Sequence, residues 1–139
     1  MPVMNDFKAE VMKATHNLDN GGDDIKIALL TDSHTTNVDT QHDWADVSAN
    51  EVSGSGYSAG GKSLTSLAVT VDDTDDEGVF DAANISWTSS TITARYAVIY
   101  NDSASNDELI AIIDFGENKT STNGTFEIQW AAEGIVNIG

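Results

Sequence analysis

The sequence predicts a mainly β protein, a single β-sandwich or jelly-roll-like domain with one N-terminal helix. Three observations carry that expectation. Short apolar runs, several of them alternating, recur from Ile25 to Ile138; the segments between them are rich in Asn, Asp, Ser and Gly; and apolar residues at helical spacing precede Gly21. Repeated strands without helices to cover them must close on one another, so a sandwich or barrel is expected. With 139 residues, no internal repeat and no linker, the chain reads as one domain, divided into an N-terminal helical segment, 1–22, and a β domain, 23–139.

In the helical segment, Phe7, Val11, Ala14 and Leu18 share a face, Asn5 or Asp6 is placed to cap the start, and Gly21-Gly22 to end it. Asp6 and Glu10 near the N-terminus suit the helix dipole. The β domain opens at Ile25 to Thr31, where Ile25, Ile27 and Leu29 alternate onto one face. A polar loop from Asp32 to about Asp46 holds His34, His42 and Trp44. A short strand near Val47 to Val52 and a glycine-rich turn from Gly54 to Gly61 come next. Strands are then expected at Leu64 to Val71, Val79 to Phe80, Ile85 to Trp87, Ile92 to Asn101, Leu109 to Phe115, Thr125 to Ala131 and Ile135 to Ile138. An acidic turn at Asp72 to Gly78 interrupts them.

Charge narrows the function more than hydrophobicity does. Twenty-three acidic residues against six basic ones give a formal net charge of −17. Such a surface repels phosphate backbones, and the basic residues are scattered, so nucleic-acid binding is not expected. The longest apolar runs are far too short to cross a membrane, and the first residues lack the pattern of a secretory signal. With no cysteine, disulfides and thiolate metal sites are excluded.

Several motifs imitate chemistry. Gly56-Tyr-Ser-Ala-Gly-Gly61-Lys62-Ser63 matches the phosphate-loop pattern, and Leu109 to Asp114 resembles the apolar strand ending in a magnesium-binding aspartate. A phosphate loop must open a helix, however, and the alternating residues after Ser63 predict a strand. Asp73, Asp75 and Glu77 are spaced like the start of a calcium loop, but the twelfth position is Asn84 and helical flanks are missing, so a solvated turn is expected. His16, His34 and His42 match no ligand spacing. No local signature organises Ser, His and Asp into a triad, so no catalytic residue, cofactor or metal is assigned and the chain is not expected to be an enzyme. Four Asn-x-Ser/Thr triplets, at Asn84, Asn101, Asn118 and Asn123, read as turn chemistry. Trp87 and Trp130 end strand-like runs and are expected in or beside the core.

The ordered strand sequences resemble a group of small virion proteins of tailed phages and prophages. The series comprises Ile25-Lys-Ile-Ala-Leu-Leu30, Glu51-Val-Ser-Gly-Ser-Gly-Tyr57-Ser-Ala-Gly-Gly61, Phe80-Asp-Ala82, Trp87 and Thr91-Ile-Thr-Ala-Arg-Tyr-Ala-Val-Ile-Tyr100. Asp114-Phe-Gly116, Phe126-Glu-Ile-Gln-Trp130 and Gly134-Ile135 complete it. The resemblance covers nearly the whole chain, and no single motif in it is diagnostic. It implies a structural protein of the virion, assembled in the host cytoplasm. On that basis the leading expectation is a capsid decoration or cement protein. It would bridge subunits of the major capsid protein, or bind other virion proteins, as a homo-oligomer. A tail, neck or head-fibre adaptor and a carbohydrate-binding module on the virion are the alternatives. The interface candidates are Trp44, as an aromatic exposed in a polar loop, Phe7, in an N-terminal segment able to tether a neighbour, and Arg95. Arg95, the single arginine, is expected to pair with a carboxylate in the fold or across a subunit contact.

Overall fold

β1, Ile25–Leu30, has five of its six residues buried, and the rest of the molecule is laid around it. A strand buried on both sides needs cover on both faces of its sheet, and β1 lies inside the larger of two antiparallel sheets. The computed structural model describes residues 2–139. Its larger sheet runs in the order β2 (Lys62–Ser63), β1, β5 (Ile85–Asn101), β6 (Leu109–Ile128). The smaller runs β3 (Ala68–Asp72), β4 (Glu77–Asp81), β7 (Val136–Ile138). One helix, α1 (Asn5–Met12), precedes them, and the protein is a mainly β sandwich. The shared core joins Ile27 and Leu29 of β1, Val98 and Ile99 of β5, and Ile110 and Ile112 of β6 to Phe80 and Val136 of the small sheet. Each such side chain contributes about 1.5–3 kcal/mol by leaving water.

α1 is shorter than its apolar spacing predicts. It stops at Met12, and Ala14 adopts a left-handed φ of 59°. The cause lies in His16, whose side chain is fully enclosed and bonded on both ring nitrogens, to Glu10 at 2.7 Å and to Asn101 at 3.0 Å. Reaching that position forces the chain out of the helix. Gly21-Gly22 closes a separate turn instead, in which the Gly22 N–H donates to the Asp19 carbonyl. Neither Asn5 nor Asp6 caps α1: Met4 holds the cap position without a side-chain bond, and the Asn5 amide reaches Asp39.

The strand expected near Val47 to Val52 is two 3-10 turns, Trp44–Asp46 and Ser48–Asn50, followed by a single bridge from Glu51 to Leu30. The Asp46 carboxylate accepts the His42 and Asp43 N–H groups, which holds its pKa below the usual value and fixes the turn. Of the strand expected at Leu64 to Val71 only the second half forms, as β3; the chain between it and the preceding β2 bends at Ser66, with a φ of 53°.

The strands that the sequence separates at residues 88–91 are one strand, β5, and those it separates at residues 116–124 are one strand, β6. Both runs are polar, but they pair with each other across several register shifts. The buried Ser90 hydroxyl lies within hydrogen-bond distance of the Trp87 and Gly124 carbonyls, to either of which it can donate, and of the Ser121 hydroxyl, from which it can accept, at the irregularity in the ladder.

Candidate interaction surface

The three interface candidates fall in different places. Phe7 is fully buried, its ring centroid 5.0 Å from that of His16, so it lies in the core of the chain and not on its surface. The start of its segment is paired within the same chain. The Met4 N–H donates to the Ile110 carbonyl and the Ile112 N–H to that of Pro2, both at 3.1 Å, so residues 2–4 are laid along β6 of the same molecule. Trp44 is half-buried, not the exposed aromatic expected of its loop. Its ring stacks on Tyr100 at 4.9 Å and 16°, because the 3-10 turn it opens lays it across the end of β5. Arg95 does pair with a carboxylate, donating Nε to Asp114 Oδ1 at 2.6 Å and a terminal nitrogen to Oδ2 at 3.2 Å. That fork links β5 to β6 and lowers the Asp114 pKa.

The motif lookalikes resolve into structure. Lys62 and Ser63 are β2, paired with Ile27 and Lys26, and the Lys62 ammonium donates to the Ser86 carbonyl beside the Trp87 ring. A Cβ on Gly61 would lie 1.9 Å from the Ile27 carbonyl oxygen, so glycine there serves close approach of the loop to β1. The Tyr57 hydroxyl accepts the Leu29 N–H and donates to Glu51, whose same oxygen takes the Gly60 N–H. Burial pushes the Tyr57 phenol far above its ordinary pKa, so it remains a donor. Asp114, matched to a magnesium ligand by sequence, is committed to Arg95.

The histidines are dispersed among separate partners: His16 as above, His34 buried with Nε2 near the Thr36 hydroxyl, and His42 on Asp6 at 2.6 Å. Among the described residues the grouping with metal-ligand proximity is Asp72, Asp75 and Glu77, not the Asp73 set suggested by spacing. Asp72 already accepts the Thr74 and Asp75 N–H groups, which makes it the organiser of the β3–β4 turn. Asn101 of the second Asn-x-Ser/Thr triplet is fully buried, with its carbonyl oxygen on the Ser103 and Ala104 N–H groups. Its amide nitrogen must therefore face His16 Nδ1, which fixes the histidine tautomer with the proton on Nε2, toward Glu10.

Two open apolar surfaces remain. β6 is the last strand of its sheet, and its outer edge is paired by residues 2–4 as far as Ile112 and by Asp43 at Glu108. From Ile113 onward no backbone partner covers that edge among the described residues. Beside it lies a trough of about 530 Å³ lined by Ile113, Phe115, Phe126, Ile128 and Trp130.

The second surface is set by strand register. Cross-strand partners project to the same side of a sheet, so Val69, Phe80 and Val136 form one row and Val71, Gly78 and Ile138 the next. The first row is anchored in the core by Phe80 and Val136, each 3% exposed. The second row overhangs, with Val71 77% exposed and glycine at its centre. The overhang faces Val11 of α1 and Leu18 across a groove of about 790 Å³. Sequence reading missed this surface because its residues come from four distant segments and meet only through the register. Comparison with family models, with curated proteins and with solved structures finds no match to this chain.

Proposed function

We propose that the chain is a non-enzymatic structural protein of a tailed-phage virion, a decoration or cement protein that stabilises the head lattice. One observation carries the reading: a single sandwich leaves two apolar surfaces open, the β6 edge with its trough and the overhang groove, and the two linings share no residue. A protein that bridges neighbouring subunits needs two attachment surfaces on one rigid body. An uncovered strand edge offers main-chain bonding to another chain, and the trough beside it offers apolar anchoring. The ordered resemblance to virion proteins supports the same reading. The partners are then the major capsid protein or other virion proteins, with further copies of this chain on the lattice. A tail or neck adaptor would use the same surfaces. A sugar-binding role is less favoured, because Trp44 spends one ring face on Tyr100.

The test adds the purified chain to particles that lack it and follows DNA release on heating. A higher release temperature, reached at saturating occupancy, is expected. An unchanged release temperature with no chain retained on the particles would contradict the proposal.

A further inference from the structure

We propose that the overhang groove docks a basic segment of a partner protein, one that inserts apolar side chains between Lys or Arg residues. The inference concerns the chemistry of the partner and holds whether or not the chain sits on a virus particle.

The apolar requirement comes from the groove's walls. Val69, Ile138 and Val11, which line the groove, are 48%, 43% and 41% exposed, and Val71, 77% exposed, stands beside Gly78 in the register. Scattered exposed apolar residues are ordinary, but Val69, Ile138 and Val11 come from the small sheet and α1 and line one depression. Gly78 gives the depression its depth. Its cross-strand neighbours Val71 and Ile138 project to the groove side, where Gly78 contributes no side chain.

The charge requirement comes from the rim. Asp19 lines the groove from the loop after α1, and the acidic β3–β4 turn, Asp72 to Glu77, joins directly onto Gly78, which also lines it. Lys8 and Lys13, on α1 and at its end, are the basic residues nearest in the chain, and Lys8 is bonded to Asn5. The other cations are engaged elsewhere: Lys26 on Asp102, Lys62 on Ser86, Arg95 on Asp114 and Lys119 on Glu117. An apolar cleft with an acidic rim complements apolar anchors flanked by positive charge. A second copy of this chain fits poorly, since its net charge of −17 would meet the same sign across the rim.

The test is fluorescence anisotropy of a labelled peptide alternating leucine and lysine, titrated with the full chain, against a peptide alternating leucine and glutamate. The lysine peptide is expected to bind, more weakly as salt rises, and the glutamate peptide is not. Gly78→Leu fills the groove from its floor; a Cβ there meets only the Ile138 carbonyl oxygen, at 3.9 Å. It is expected to weaken binding about tenfold or more while leaving the melting temperature unchanged. Val69→Lys, at a half-exposed side chain that lines the groove, is expected to weaken it through charge, and decides the question if Gly78→Leu fails to fold. Undiminished binding by a folded variant overturns the proposal, as does equal binding of the glutamate peptide or no binding of the lysine peptide. Sedimentation of the chain alone completes the test. A dimer abolished by Gly78→Leu would assign the groove to a second copy and overturn the proposal; no groove-dependent dimer supports it.

Discussion

His34 is a buried base without a carboxylate partner, set edge-on to the Tyr96 ring at 4.9 Å and touching only the Thr36 hydroxyl through Nε2. Burial lowers its pKa from 6.5, so the folded chain holds it neutral where the unfolded chain takes up a proton. The stability this contributes is full above pH 6.5 and is lost as pH falls from there through the folded value. Urea unfolding at stepped pH should therefore show a decline beginning near pH 6.5 that His34→Gln removes; a flat profile in the parent would contradict it. Trp44 gives the second prediction at this scale. Its stacking on Tyr100 means that Trp44→Ala should destabilise the isolated domain, by about 1–3 kcal/mol for a half-buried aromatic, read as a lower urea midpoint. Its loop reads as surface in the sequence because Asp, Asn, His and Thr surround it; the apolar face it covers is supplied from β5, far along the chain. Arg95 is the more legible residue. A single cation among apolar strand neighbours needs an anion close by, and Asp114 across the ladder supplies it.

Elements follow the sequence where apolar residues mark the strand and depart from it where both faces are polar. β1 is readable in its bounds to within one residue, although Ala28 and Leu30 bury its second face as well, and the small strands β4 and β7 lie within two residues of their expected places. The ribbon formed by residues 88–91 and 116–124 reads as turns, since polar residues tolerant of tight geometry also occupy exposed strands. What makes it strand is pairing between β5 and β6 and the buried Ser90–Ser121 contact, neither of which has a periodic signature. The helix errs in the opposite direction, its spacing continuing past the residue where His16 turns inward. The β6 edge yields a prediction from its own alternation. The Ile112 N–H points outward to Pro2, and two residues on, the Asp114 N–H points the same way without a backbone partner. Amide exchange should be slow at Ile112 and fast at Asp114. Equal protection of both at low concentration would contradict a free edge, while protection of Asp114 only on adding a partner would locate that partner on β6.

At the scale of the molecule, a small sandwich carries a net charge of −17 and keeps most of its few cations in local bonds. Self-repulsion of that size opposes compaction, so the melting temperature should rise as sodium chloride is raised from low to about 0.15 M, where the screening length is about 8 Å. A fall would mean that the local ion pairs outweigh the repulsion. The fold class is legible because it needs only the count and spacing of strands. The open surfaces are not, because an edge and an overhang are properties of strand order and register. Both surfaces lead to the central claim, that the chain bridges neighbours on a virion lattice. Its most direct test is the copy number of the chain relative to the major capsid protein in purified particles. The account predicts a stoichiometry comparable to that of the lattice subunits or their symmetry axes, on the order of hundreds of copies per head. A handful of copies, as a neck or tail ring would hold, would contradict the lattice role, and none at all would contradict the virion assignment.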